Sequence, residues 1–290
     1  MADESGPLVS VEWLKNAIAA NRKDVVILEC SYEKNKDMYK DFIRGHIPGA
    51  IFFDMDECRD KKSPYPNMLP PPQVFAFYCG QLGLDNKSKI ILYDNNPRGL
   101  FGAARVFWMF KAFSTNPVQI LNGGLAAWKQ SDLDLTTAEV RLPPKIFHAI
   151  LKPDHVKVYE DIVGFIHCTD MEQAPQIIDA RPPFLYHCGR IPRQSVNIPV
   201  ASVLSDLPNT TMKSKEDLEK LFKDANIDLQ RKMVFMCSSG VAASVLFFAA
   251  MLLGVSPPQI AVYDGSWSEW EPRSKGRHGL MEYNHQHLLH

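Results

Sequence analysis

The stretch Met233–Gly254, MVFMCSSGVAASVLFFAAMLLG, decides the fold. Its opening run, Met233 to Met236, is uncharged and apolar and suits a buried parallel strand. The stretch ends in a long segment rich in Ala, Leu and Phe that predicts a mostly buried helix. Cys237, Ser238, Ser239, Gly240, Val241 and Ala242 lie between the two. A strand that passes through a tight loop of small residues into a helix turns several backbone N–H groups toward one point. Negative charge is favoured there. A thiol at such a point is held as the thiolate, its reactive form. Cys237 therefore reads as a nucleophile, with Ser238, Gly240, Val241 and Ala242 as the surrounding anion-binding loop. The other five of the six cysteines read as small buried hydrophobes.

Outward from this unit, strands and helices alternate along the chain. Val25–Cys30, Ala50–Phe53, Lys89–Tyr93, Val118–Leu121, Gln176–Ala180 and Gln259–Tyr263 read as strands. Val11–Ala20, Pro72–Leu82, Leu100–Ala112, Val156–Ile166 and Ser214–Asp224 read as helices, with Ser10 and Ser214 as N-caps. Arg181–Arg193 reads as a loop, and so does the proline-rich stretch 56–72. An internal repeat follows from the order. Cys237 lies 143 residues after Asp94, Trp270 lies 142 after Trp128, and Ile191-Pro192 lies 144 after Ile47-Pro48. Asp94 thus stands in the first half where the thiol stands in the second, and reads as a loop carboxylate. The fold class is α/β: two tandem domains, each a mostly parallel sheet flanked by helices. Residues 131–153 lose periodicity and carry Pro143, Pro144 and Pro153. The expected division is 1–135, a linker at 136–155, and a catalytic domain at 156–290.

Composition narrows the function. A net charge of −1 supplies no field for nucleic acid or an anionic membrane. The apolar run after Cys237 stops at Ser256-Pro257-Pro258, short of a bilayer span with polar flanks. The acidic start MADESGPLVS has neither a signal-peptide core nor an Arg-rich presequence. Scattered cysteines without a Cys-x-x-Cys pair indicate neither a disulfide framework nor a zinc site. These features point to a reducing compartment, most simply the cytoplasm, with a mitochondrial pool left open.

Two further motifs carry a resemblance. Phe42-x-x-x-His46-Ile47-Pro48-Gly49-Ala50-x-x-Phe53 lies in the first half, and Tyr263-Asp264-Gly265-Ser266-Trp267-x-Glu269-Trp270 closes the second. With the loop Cys237-x-Ser239-Gly240-Val241, they make the chain resemble the two-domain rhodanese-like sulfurtransferases. The resemblance implies a persulfide on Cys237, with 3-mercaptopyruvate or thiosulfate as donor and thioredoxin or a small thiol as acceptor. It implies no metal and no organic cofactor. Ser239 and Asp56 match residues of the family that assist proton movement. Neutral Ser238 and Ser239 match the branch that takes sulfur from mercaptopyruvate, with release of pyruvate, whereas thiosulfate-preferring relatives carry basic residues there. The chain departs from the family twice. Asn67 stands where relatives carry a His, and Phe184 stands where they carry the first of two carboxylate-binding arginines. Arg190 and Arg193 remain as the expected carboxylate clamp.

Three other readings compete. A Cys-loop phosphatase needs an arginine to close its loop, but Ala243 and Ser244 occupy that place. A thiosulfate sulfurtransferase shares the same chemistry. A non-catalytic rhodanese-type sulfur carrier or binding module would account for Asn67 and Phe184 as signs of decay.

Overall fold

The computed structural model describes residues 6–170, 172–191, 195–206 and 210–282. It comprises two units. The first holds the chain up to Lys61, Leu69–Lys152 and Leu204–Met212, and the second holds Lys62–Met68, Pro153–Val203 and the chain from Lys213.

In the first unit the order is β1 (Leu8–Val9), α1 (Val11–Ala19), β2 (Val25–Glu29), α2 (Tyr39–Phe42), β3 (Ala50–Phe52), α3 (Pro72–Gln81), β4 (Lys89–Tyr93), α4 (Phe101–Phe113), β5 (Val118–Leu121) and α5 (Gly124–Gln130). The strands pair in parallel in the order β1-β5-β4-β2-β3. Central β4 is apolar because both its faces are covered, and Ile90, Ile91, Leu92 and Tyr93 are all fully buried. Helix α1 starts where Ser10 Oγ accepts the Trp13 N–H at 3.1 Å. Helix α4 approaches β2 so closely that a Cβ on Gly102 would sit 1.7 Å from the Cys30 carbonyl oxygen, which requires glycine there.

The second unit repeats the plan. Its elements are β6 (Val156–Lys157), α6 (Tyr159–His167), β7 (Gln176–Asp179), α7 (Pro183–Cys188), β8 (Ser195–Asn197), α8 (Lys215–Asp224), β9 (Met233–Met236), α9 (Val241–Leu252), β10 (Ile260–Tyr263) and α10 (Ser266–Ser274). All pairs are again parallel, in the order β6-β10-β9-β7-β8. Strand for strand this is the order of the first unit, as the sequence repeat requires. Helix α9 lies almost wholly in the interior and carries no charge. Among the described residues no helix is long and apolar enough to cross a membrane.

Several local expectations are corrected. The segment read as a helix from Val156 begins as the edge strand β6, whose two residues pair with Val262 and Tyr263. Edge strand β1 is equally short, and two residues give no alternation to read. The stretch read as a loop from Arg181 contains α7, which Pro183 starts by supplying a preset φ in the first turn. Cys30, Cys58 and Cys79 are buried as expected, but Cys168 is half-buried and Cys188 is exposed. Part of the aperiodic stretch 131–153 is fastened to the first unit. Lys145 N–H donates to the Gly80 carbonyl at 3.0 Å, and the buried Phe147 ring lies 5.9 Å from Phe75 and 6.1 Å from Phe110. A buried aromatic contributes about 1.5–3 kcal/mol, enough to hold a few residues of aperiodic chain in place.

Candidate active site

Strand β9 lies between β7 and β10, so the residue after its carboxyl end emerges at the middle of the sheet edge. That residue is Cys237, 3% exposed. Sheets of this kind bind ligands beyond the carboxyl ends of their strands. Gly240 then takes the left-handed conformation, φ +81°, and caps α9.

The peptide planes of this loop are fixed from outside. The Cys237 carbonyl accepts the Trp267 N–H at 3.0 Å. The Ser238 carbonyl accepts the Ser268 N–H at 2.9 Å and the Ser268 hydroxyl at 2.7 Å. The Gly240 carbonyl accepts the Ser244 hydroxyl at 2.9 Å. In a trans peptide the C=O and the following N–H point in opposite directions. Pinning the carbonyls of 237, 238 and 240 therefore turns the N–H groups of Ser238, Ser239 and Val241 the other way. This is the oriented set of dipoles that an anion at the start of a helix requires.

The N–H of Cys237 itself goes to Ser266 Oγ, at 3.1 Å, and Ser266 donates in turn to the Tyr263 carbonyl at 2.8 Å. Ser266 is fully buried with φ +49°. Its counterpart in the first unit is a glycine, Gly124, at φ +54°. A serine in the left-handed region costs roughly 1–2 kcal/mol relative to a glycine. A hydrogen bond from the nucleophile's own N–H and another to the end of β10 offset that cost. Beside β9, Arg181 is 3% exposed and grips Asp179 through Nε and Nη2, at 2.9 and 2.7 Å. It also donates to the Gly189 carbonyl at 2.8 Å, and its guanidinium lies 4.1 Å from the Trp267 ring.

The remaining sequence candidates are placed as follows. Ser238 is exposed, Ser239 and Ala242 are half-buried, and Gly240 and Val241 are buried, all on the loop and the first turn of α9. Arg190 is the repeat counterpart of His46. His46 bridges to Thr136, and Arg190 bridges to Glu282 in the same antiparallel manner. The Arg190 guanidinium is ion-paired with the Glu282 carboxylate at 2.9 Å. Arg193 lies outside the described residues. Asp56 belongs to the first unit, where it is exposed, its backbone N–H donates to the Asp54 carboxylate at 2.8 Å and its own carboxylate sits 3.5 Å from Arg59. Phe184 is 67% exposed on α7.

The rhodanese-like domain profile matches residues 10–131, mostly in the first unit, and again 169–273, mostly in the second. The chain belongs to the rhodanese-like family. It is 36% identical over 291 residues to 3-mercaptopyruvate sulfurtransferase of Mus musculus, covering 95% of each chain. It is 34% identical over 288 residues to thiosulfate sulfurtransferase of Gallus gallus, covering 95% of this chain and 96% of that one. Among solved structures it matches the 3-mercaptopyruvate sulfurtransferase SseA of Escherichia coli. The TM-score is 0.81 at 31% identity, over 91% of this chain and 99% of that one.

The first rhodanese-like unit closes the equivalent position with its own side chain. The Asp94 carboxylate accepts the N–H groups of Asn96 at 2.8 Å, Gly102 at 2.7 Å and Ala103 at 3.4 Å. Burial, the largest influence, pushes its pKa up to about 7 against the pull of those donors. A folded pKa above the unfolded value of 3.8 means the folded state holds the proton longer. The stabilisation is fully present below the unfolded value and is lost as pH rises through about 7. Asp94→Asn, which mimics the protonated acid, should remove roughly 2–3 kcal/mol of the stability difference between pH 5 and pH 8. Urea midpoints of parent and variant at the two pH values check this, and equal pH dependence in both would overturn it.

The partners missed from sequence are Ser266, Trp267, Ser268 and Arg181. The strand order explains them: β7 and β10 flank β9, so the residues just past their carboxyl ends border the Cys237 loop.

Proposed function

We propose that this protein transfers sulfur from 3-mercaptopyruvate to a thiol through a persulfide on Cys237. The observation that carries the reading is the Cys237 loop, with its carbonyls tied to α10 and α9, its N–H groups turned the other way and the neutral Ser238 and Ser239 following the thiol in the chain. The Cys237 thiolate attacks the donor sulfur, forming an S–S bond as the C–S bond breaks. The electron pair of that bond leaves on carbon as the enolate of pyruvate. The proton that the donor sulfur carried ends on that carbon, so the products are pyruvate and an anionic persulfide. Oriented N–H donors stabilise both the thiolate and the persulfide. Ser239 is the hydroxyl that carries the proton from the transferred sulfur to the enolate carbon. A second thiol, from thioredoxin or a small molecule, attacks the outer sulfur and returns the Cys237 thiolate. This cycle needs a reducing compartment, which agrees with a cytoplasmic protein.

Thiosulfate is the second donor considered, because relatives of that activity match the chain nearly as well. It is a dianion, and Ser238 and Ser239 offer it no cation. Pyruvate release from mercaptopyruvate, measured beside thiocyanate formation from thiosulfate and cyanide, tests the proposal. A larger kcat/KM for mercaptopyruvate is expected. The reverse order would make this a thiosulfate enzyme, and absence of both activities would leave a sulfur-binding module. For Arg190 to hold the donor carboxylate, it must exchange Glu282 for it. Arg190→Ala should then raise KM for mercaptopyruvate about tenfold or more. An unchanged KM would remove Arg190 from the site.

A further inference from the structure

We infer that Asn67 is a positioning residue that sets the direction of the Ser239 hydroxyl proton, and so serves the donor whose leaving group must be protonated. The segment Lys62–Met68 belongs to the second unit, together with the Cys237 loop. Asn67 is 6% exposed, and its Nδ2 donates to Ser239 Oγ at 3.2 Å. Its backbone is left-handed, φ +60°, a conformation that Asn adopts more readily than most residues. Pro64 and Pro66 precede it and Pro70, Pro71 and Pro72 follow, so the flanking chain has little freedom to move the amide away.

A serine hydroxyl has one proton and two lone pairs. With the amide donating into one lone pair, Ser239 cannot direct its proton to the same partner. The proton is available on the other side of the oxygen. The two donors differ in what they need from it. When mercaptopyruvate gives up sulfur, the electron pair stays on carbon and a proton must reach that carbon. When thiosulfate gives up sulfur, the S–S pair leaves on sulfite, which is stable as the dianion and takes no proton. A group that aims a proton therefore matters to the first half-reaction and not to the second.

This inference rests on Ser239 acting as the proton carrier proposed above. The test compares the parent with Asn67→Asp and Asn67→Ala. Asn67→Asp keeps the shape and the tolerance for positive φ but replaces the donor by an acceptor, which draws the Ser239 proton toward position 67. We expect its kcat for pyruvate release to fall about 10- to 100-fold, with KM within about threefold. In Asn67→Ala, which adds no charge beside the thiolate, thiocyanate formation from thiosulfate and the alkylation rate of Cys237 should stay within about threefold of the parent. Asn67→Ala should lose less than Asn67→Asp, since it removes the donor without adding an acceptor. If Asn67→Ala slows both sulfur donors alike, or lowers the alkylation rate with them, Asn67 only holds the loop and the inference fails. Normal pyruvate release by Asn67→Asp also overturns it, while leaving the proposed function intact. A parent protein that releases no pyruvate overturns both readings.

Discussion

Cys237→Ser is expected to lower pyruvate release from mercaptopyruvate, and thiocyanate formation from thiosulfate, by at least about 10³-fold. A serine hydroxyl at this place ionises far less readily than a thiol and is a poorer nucleophile toward sulfur. It also cannot store the transferred atom as a persulfide. The substitution is nearly isosteric, and the new hydroxyl lies among N–H groups that can donate to it, so the fold should survive. Intact-mass measurement separates chemistry from folding. The parent treated with donor should gain one sulfur atom and lose it on addition of a thiol, whereas the variant should gain none. Cys188 is exposed and Cys168 half-buried, so both thiols are within reach of the donor. An adduct that persists in Cys237→Ser would place the sulfur on one of them and overturn the assignment of the nucleophile.

The parts of this fold legible in the sequence are those where one physical requirement dominates. Strands β4, β5 and β9 are buried almost throughout, and their mostly apolar residues, interrupted by Lys89 and Gln119 alone, mark them with boundaries that match the structure. The Cys237 loop is legible for the same reason: an apolar strand, small residues and an apolar helix follow one another without a break. The repeat spacing then implies the shared strand order. What escaped notice was structure set by tertiary pairing. β1 and β6 are two residues long and exist only because β5 and β10 offer them an edge. Helix α7 lies in a segment with no apolar period of its own. The role of Ser266 was hidden because serine is common in turns. Its burial, its positive φ and its bond to the Cys237 N–H are properties of the folded chain. Asn67 looked like the loss of a titratable group, whereas in the folded unit it is a buried amide bonded to Ser239.

Arg181→Ala should be the most destabilising single change at the rim of the site, by about 3–5 kcal/mol. The substitution removes the cation paired with the Asp179 carboxylate, which is 1% exposed. It also leaves the Gly189 carbonyl without its donor and removes the plate on which Trp267 rests. Trp267 supplies the N–H that holds the Cys237 carbonyl outward, so turnover should fall along with stability. Arg181→Lys keeps the charge but cannot reproduce the forked contact or the stacking, and should fall between alanine and the parent. The double variant Asp179→Asn with Arg181→Met removes both charges and should recover much of the stability, because neither ion is then buried alone. It should not recover turnover to the same degree, since the flat guanidinium against the Trp267 ring is still missing. Urea midpoints followed by tryptophan fluorescence, with pyruvate release measured in parallel, separate the two effects. If Arg181→Ala stays within about 1 kcal/mol of the parent, water reaches Asp179 and the pair is not what braces the loop.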